Sequence, residues 1–112
     1  MRNVVVVLLL LCLAVQAETA ESVARLRADA EQGDVDAAYQ LALAYRDGKD
    51  APKDYVEAYA WFDVAAAVLD DEHGVERDEL AKNMTPEQLA QARQRSRDYF
   101  RKYLGPLLQD AE

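Results

Sequence analysis

The sequence predicts an all-α protein with a single core, on three observations. The chain has 112 residues, half of them apolar and many of them Ala or Leu, with only 4 Gly and 3 Pro. That composition disfavours a β-sandwich or barrel, which needs turn residues and β-branched runs. Beyond Glu18, apolar residues recur at the i, i+3, i+4 spacing of a buried helix face. Helix start and stop residues punctuate that spacing at short intervals. A chain of this length supports one domain, not two.

The first element is an address. Met1-Arg2-Asn3 is a basic start, and the apolar run Val4 to Val15 is about a dozen residues, short of the roughly 20 a membrane span needs. Val15 and Ala17 form the small-residue pattern of a leader cleaved after Ala17. Residues 1–17 are therefore expected to be removed, leaving an exported, periplasmic or secreted protein with no stable membrane insertion. Cleavage also removes Cys12, the single cysteine, and leaves 12 basic against 21 acidic side chains, a net charge of −9. The remaining chain has no thiol for a disulfide, a metal or catalysis. An acidic protein also lacks the basic surface that nucleic acid demands, so no nucleic-acid partner is expected.

Five helices follow. The first is expected over about Ser22–Gln32, with Val23, Leu26 and Ala30 on its apolar side and Gly33 as its C-terminal cap. Asp34 reads as the N-cap of the second, Val35–Asp47, whose stripe is Ala37, Ala38, Leu41, Ala42 and Tyr45, ended by Gly48. Asp54 caps the third, about Tyr55–Leu69, with Ala58, Trp61, Phe62, Ala65, Ala66 and Leu69 as its apolar stripe. A polar break over Asp70–Gly74 precedes a short fourth helix, about Val75–Asn83. Thr85-Pro86-Glu87-Gln88 is a capping box with Pro in the first turn, opening a fifth helix that buries Leu89, Ala92, Ser96, Tyr99, Phe100 and Tyr103. Gly105-Pro106 is expected to stop that helix, and 107–112 to form a frayed tail.

Residues Asp36 to Gly48, Pro52 to Ala58 and Trp61 to Ala66 together resemble one Sel-one-like repeat (SLR), a relative of the tetratricopeptide repeat. The matching positions are Ala37, Leu41, Tyr45, Gly48, Asp54, Ala58, Trp61, Ala65 and Ala66; all of these but Asp54, together with Phe62 of the same apolar stripe, are the expected repeat core. Two positions depart from the pattern. Ala42 replaces a Gly, and Asp50 replaces the second Gly of the loop, at a place expected to require positive φ. The resemblance implies a short helical-repeat solenoid of antiparallel helix pairs. A lone pair cannot bury both apolar sides, so capping helices are expected at each end. The resulting division is leader 1–17, N-terminal capping helix 18–34, repeat 35–70, C-terminal capping helices 71–106 and tail 107–112.

In such solenoids the first helix of a pair lines the concave surface. Tyr39, Leu43 and Arg46 lie together on that helix, and Tyr55 and Tyr59 project from the start of the next. Aromatic and Arg side chains dominate binding hot spots, which makes these five the candidate partner-binding residues, against the plainer expectation that Tyr39 and Leu43 pack on the first helix. Arg93, Arg97 and Arg101, with Arg95 and Lys102, form a basic stripe: Arg93–Leu104 carries +4, and Glu18–Ala92 carries −11. A solvated face is the expectation for this stripe; the competing one is a weak homodimer in which it meets the acidic body. Asp70-Asp71-Glu72-His73 has metal-ligating types, but contiguous side chains diverge and no second His exists, so a solvated loop is expected and no metal. No nucleophile–base arrangement or phosphate-cradling loop occurs, so neither an enzyme nor a cofactor is expected. The partner is expected to be another protein. The resemblance implies an envelope adaptor or regulator; the alternatives are a self-associating structural protein and a toxin-neutralising, immunity-type protein.

Overall fold

The computed structural model describes residues 22–69 and 71–110, with 71–73, 109 and 110 described by backbone alone. The expected leader and Cys12 lie outside the described residues. All elements among the described residues are helical: α1 over 22–31, α2 Val35–Asp47, α3 Tyr55–Val68, α4 Asp71–Ala81, α5 Pro86–Tyr99, a π-helical turn Phe100–Leu104, and α6 Gly105–Asp110.

Punctuation residues set the first half. After α1 the chain turns at Gly33, whose φ of +97° is open only to glycine without strain. The Asp34 carboxylate accepts from the Ala37 N–H at 3.1 Å and starts α2. Gly48 ends α2 in the left-handed region, donating to the Ala44 carbonyl. The connection that follows holds Asp50 at φ +67°, so the position where the repeat pattern has glycine does require positive φ. The Asp54 N–H closes this loop onto the Tyr45 carbonyl at 2.9 Å, while the Asp54 side chain caps α3 through the Glu57 N–H.

Helix α3 is the hub of the molecule. Helices α2, α4 and α5 all make their main contacts with it. A single apolar stripe was expected there; instead Val56 to Phe62, Val64 and Ala65 are buried on nearly every side. A helix covered by several neighbours must be apolar all round, and the alanines among these residues let those neighbours approach closely. Trp61, Phe62 and Leu41 are the largest fully buried side chains. Leu69, assigned to the stripe, lies at the helix end and is 37% exposed.

The largest departures from expectation are at the start of α4 and at the C-terminal end of α5. Helix α4 begins at Asp71, not Val75, taking in most of the expected polar break. Acidic residues favour a helix N-terminus, and Gly74 is buried in the new first turn, with room for a Cβ at ordinary contact distance from Ala66 of α3. The Thr85–Gln88 capping box is present as expected. Yet Gly105-Pro106 does not stop the chain: the turn widens at Phe100–Leu104, the Gly105 N–H reaches back to the Phe100 carbonyl, and helix resumes. A π-turn is one way to accept a proline, which lacks an N–H and crowds the carbonyl a turn earlier. Residues 107–110 are accordingly helical, not frayed. Leu107 seats against Gly33, where a Cβ would collide with it at 2.3 Å.

Candidate functional site

A groove of about 610 Å³ runs between the C-terminal end of α2, the start of α3 and the side of α4. Arg46, Asp47, Lys53 and Tyr55 line one wall; Glu76, Glu79 and Asn83 line the other. Arg46 is built in by several contacts. Its guanidinium bonds Asp47 at 2.8 Å and Glu76 at 3.4 Å, and sits 5.8 Å from the centre of the Phe62 ring. The bond to Asp47 raises the Arg46 pKa in spite of partial burial, and holds the Asp47 carboxyl below its ordinary value. The Tyr39 hydroxyl donates to Glu76 at 2.7 Å, which, with burial, raises its pKa. Lys53 Nζ stands 5.0 Å from the centre of the Tyr55 ring at the groove's edge.

The five candidate binding residues thus divide. Tyr39, Arg46 and Tyr55 gather on the α2–α4 side, with Tyr39 and Arg46 sharing Glu76 as a partner. Leu43 faces the other way, lining a depression with Ser22 and Leu26 of α1. Tyr59 is buried, 6% exposed, in the core and is not a surface residue. Its position one turn after Tyr55 leads inward because α3 is covered all round. Among the repeat-core residues, Ala37, Leu41, Ala58, Trp61, Phe62 and Ala65 are buried, whereas Tyr45 and Ala66 are half-buried and Gly48 is an exposed cap.

Sequence reasoning missed two carboxylates on α3 that tie the stack together. Glu57 is buried and accepts four hydrogen bonds: from Arg95 at 2.6 Å, Tyr99 at 2.8 Å, Trp61 Nε1 at 3.2 Å and Arg27 at 3.3 Å. Arg27 also donates to the Tyr45 hydroxyl. Although burial opposes its charge, these partners raise the Arg27 pKa. Tyr99 and Tyr103 stack over Trp61, with centroid distances of 4.5 and 6.1 Å. Asp63, further along α3, accepts from Arg77 of α4 and Ser96 of α5, both at 2.6 Å. A usable signal existed: Glu57 and Asp63 are the only charged positions in an otherwise apolar helix. The basic stripe is also corrected, since Arg95 is spent on Glu57 and is not part of a solvated face. Of the Asp70–His73 run, Asp70 lies outside the described residues and the other three side chains are not described. Among the described residues no helix is long and apolar enough to cross a membrane.

No family model matches the sequence, and no curated protein matches it. Among solved structures, the chain is similar to a protective antigen present in uropathogenic Escherichia coli strains and described as displaying an SLR fold. The two share 38% identity over 75% of this chain, with a TM-score of 0.71. The chain has an SLR fold. It covers 18% of the antigen's length, so what is alike is one segment of a longer stack. The groove opens between α2, the start of α3 and α4.

Proposed function

We propose that this chain is an exported SLR protein that binds another protein through the α2–α4 groove and performs no chemistry of its own. The observation that supports the reading is the groove's construction. Arg46 is held by Asp47, Glu76 and the Phe62 ring before any partner arrives, so little side-chain freedom is lost on binding. Lys53, Tyr55, Glu79 and Asn83 offer both charges, an aromatic face and an amide on one surface, which suits a polar peptide or domain surface better than a small apolar ligand. The SLR fold is a helical-repeat scaffold of the kind that mediates protein–protein contacts, and the leader-like residues 1–17 support export.

Photo-cross-linking tests this. With a cross-linker at Lys53 or at Asn83, both exposed, the expected result is one protein captured from both positions and not from Gln91 on α5. Reversing two groove charges, Lys53→Glu with Glu79→Lys, is expected to reduce that capture about tenfold, since opposed rim charges govern specificity and encounter. Equal capture from Gln91, or none from either groove position, overturns the reading.

A further inference from the structure

Helices α2 and α4 face each other across the groove, yet each packs on α3 and scarcely on the other. What crosses between them is a pair of hydrogen bonds onto one carboxylate. The Tyr39 hydroxyl donates to Glu76 Oε1 at 2.7 Å, and Arg46 Nη1 donates to Oε2 at 3.4 Å. The two donors stand two turns apart on α2, and both are fixed from below. Phe62, fully buried on α3, lies 6.0 Å from the Tyr39 ring and 5.8 Å from the Arg46 guanidinium. Asp47 holds the same guanidinium by two further bonds, at 2.8 and 3.2 Å. Neither donor can follow α4 outward without leaving these supports.

The other acidic side chains that line the groove bond close to home: Asp47 to its neighbour Arg46, and Glu79 to Lys82 at 2.9 Å. Arg77, next to Glu76, ties α4 to α3 through Asp63 at 2.6 Å. A helix tied to α3 alone keeps the freedom to rock about that line of contact, and a bond from its neighbouring residue to α2 removes it. We propose that Glu76 is the positioning residue of the groove, a latch that fixes the spacing of its two walls in the free protein. The inference rests on the docking reading for its purpose alone. A partner meets walls already set apart by the right width, so less order is lost on binding, and the width itself selects what can enter.

Distances between two nitroxide labels, read by pulsed electron resonance on the full chain carrying Cys12→Ala, test the proposal without a partner. One labelled pair, Gln40→Cys with Asp78→Cys, spans α2 and α4; a second, Gln40→Cys with Gln91→Cys, spans α2 and α5. All three positions are exposed. Glu76→Ala is expected to broaden the α2–α4 distribution about twofold, the mark of a locally loosened element, while the α2–α5 distribution and the helical circular dichroism stay as they were. Tyr39→Phe with Arg46→Gln is expected to match it, since it removes the same two bonds from the other side. Glu79→Ala, a carboxylate lost from the same wall, is expected to leave the distances unchanged. An α2–α4 distribution that Glu76→Ala does not broaden overturns the proposal. So does equal broadening of both pairs, because Glu76 then holds the fold and not the groove, or equal broadening by Glu79→Ala, because charge and not the latch then sets the spacing. Failure of the cross-linking experiment, by contrast, removes the docking reading and leaves these distances as measured.

Discussion

Glu57 concentrates the polar interactions of the core in one side chain. A buried carboxylate is costly unless its oxygens are fully bonded, and here both are. Replacing it with glutamine keeps the shape but leaves Arg95 without a counter-charge and Arg27 with only Glu31, 3.9 Å away. Breaking a buried pair costs about 3–5 kcal/mol; with both arginines about a third exposed to solvent, roughly 2–3 kcal/mol is expected for Glu57→Gln, read as a lower denaturation midpoint at unchanged slope. Tyr99 contributes a pH dependence of definite sign. Burial first, and then its bond to Glu57, push the phenol from 10.0 up to about 12. A folded-state value above the unfolded one stabilises fully below pH 10 and is lost as pH rises from 10 towards 12. The stability gap between wild type and Tyr99→Phe is thus expected to narrow across that window in urea titrations, and a gap constant through pH 11.5 contradicts the assignment. None of this hub was legible as a unit in the sequence, because its donors lie as far as 42 residues from Glu57.

Elements were legible where local chemistry settles them. Helix α2 has the bounds the sequence predicts, since Asp34 and Gly48 act within one turn of their own positions. The capping box of α5 is equally local, and Thr85→Ala is expected to cost about 1 kcal/mol by losing its bond to the Gln88 N–H. Boundaries that depend on neighbours were not legible. Helix α4 packs along α3 over its length, and the continuation past Gly105-Pro106 depends on a π-turn and on Leu107 finding Gly33. Gly33→Ala tests that last dependence. It combines a strained positive φ, costing about 1–3 kcal/mol, with a Cβ placed on Leu107, so the midpoint is expected to fall by at least that cost. Adding Leu107→Ala should remove the steric part and leave the backbone part, a non-additivity measurable in a double-mutant cycle. The candidate site divided in the same way: Arg46 and Tyr55 reach a shared groove because they flank the loop read from the repeat, while Tyr59 is lost to a core whose full width only packing reveals.

Over the whole molecule, the arrangement departs from the simplest expectation for stacked repeats, in which each unit touches only its neighbours and the ends unfold separately. Here α3 touches α2, α4 and α5 directly, and its two carboxylates extend the connection: Glu57 to α1 and α5, Asp63 to α4 and α5. Glu76 adds a clasp between α2 and α4. Every helix from α1 to α5 is therefore one hydrogen bond or one packed face from α3, and no helix can leave without exposing part of the same core. The consequence is a single cooperative transition. Trp61 fluorescence, which reports the centre, and far-ultraviolet circular dichroism, which reports all helices, are expected to give coincident denaturation curves. Glu57→Gln should break that coincidence by releasing the outer helices first: amide exchange in α1 and the C-terminal half of α5 is expected to quicken more than in α2. Equal quickening in all helices would mean that the apolar contacts of α3, and not its carboxylates, hold the ends, and that the polar hub only fixes which way Trp61, Tyr99 and Tyr103 stack.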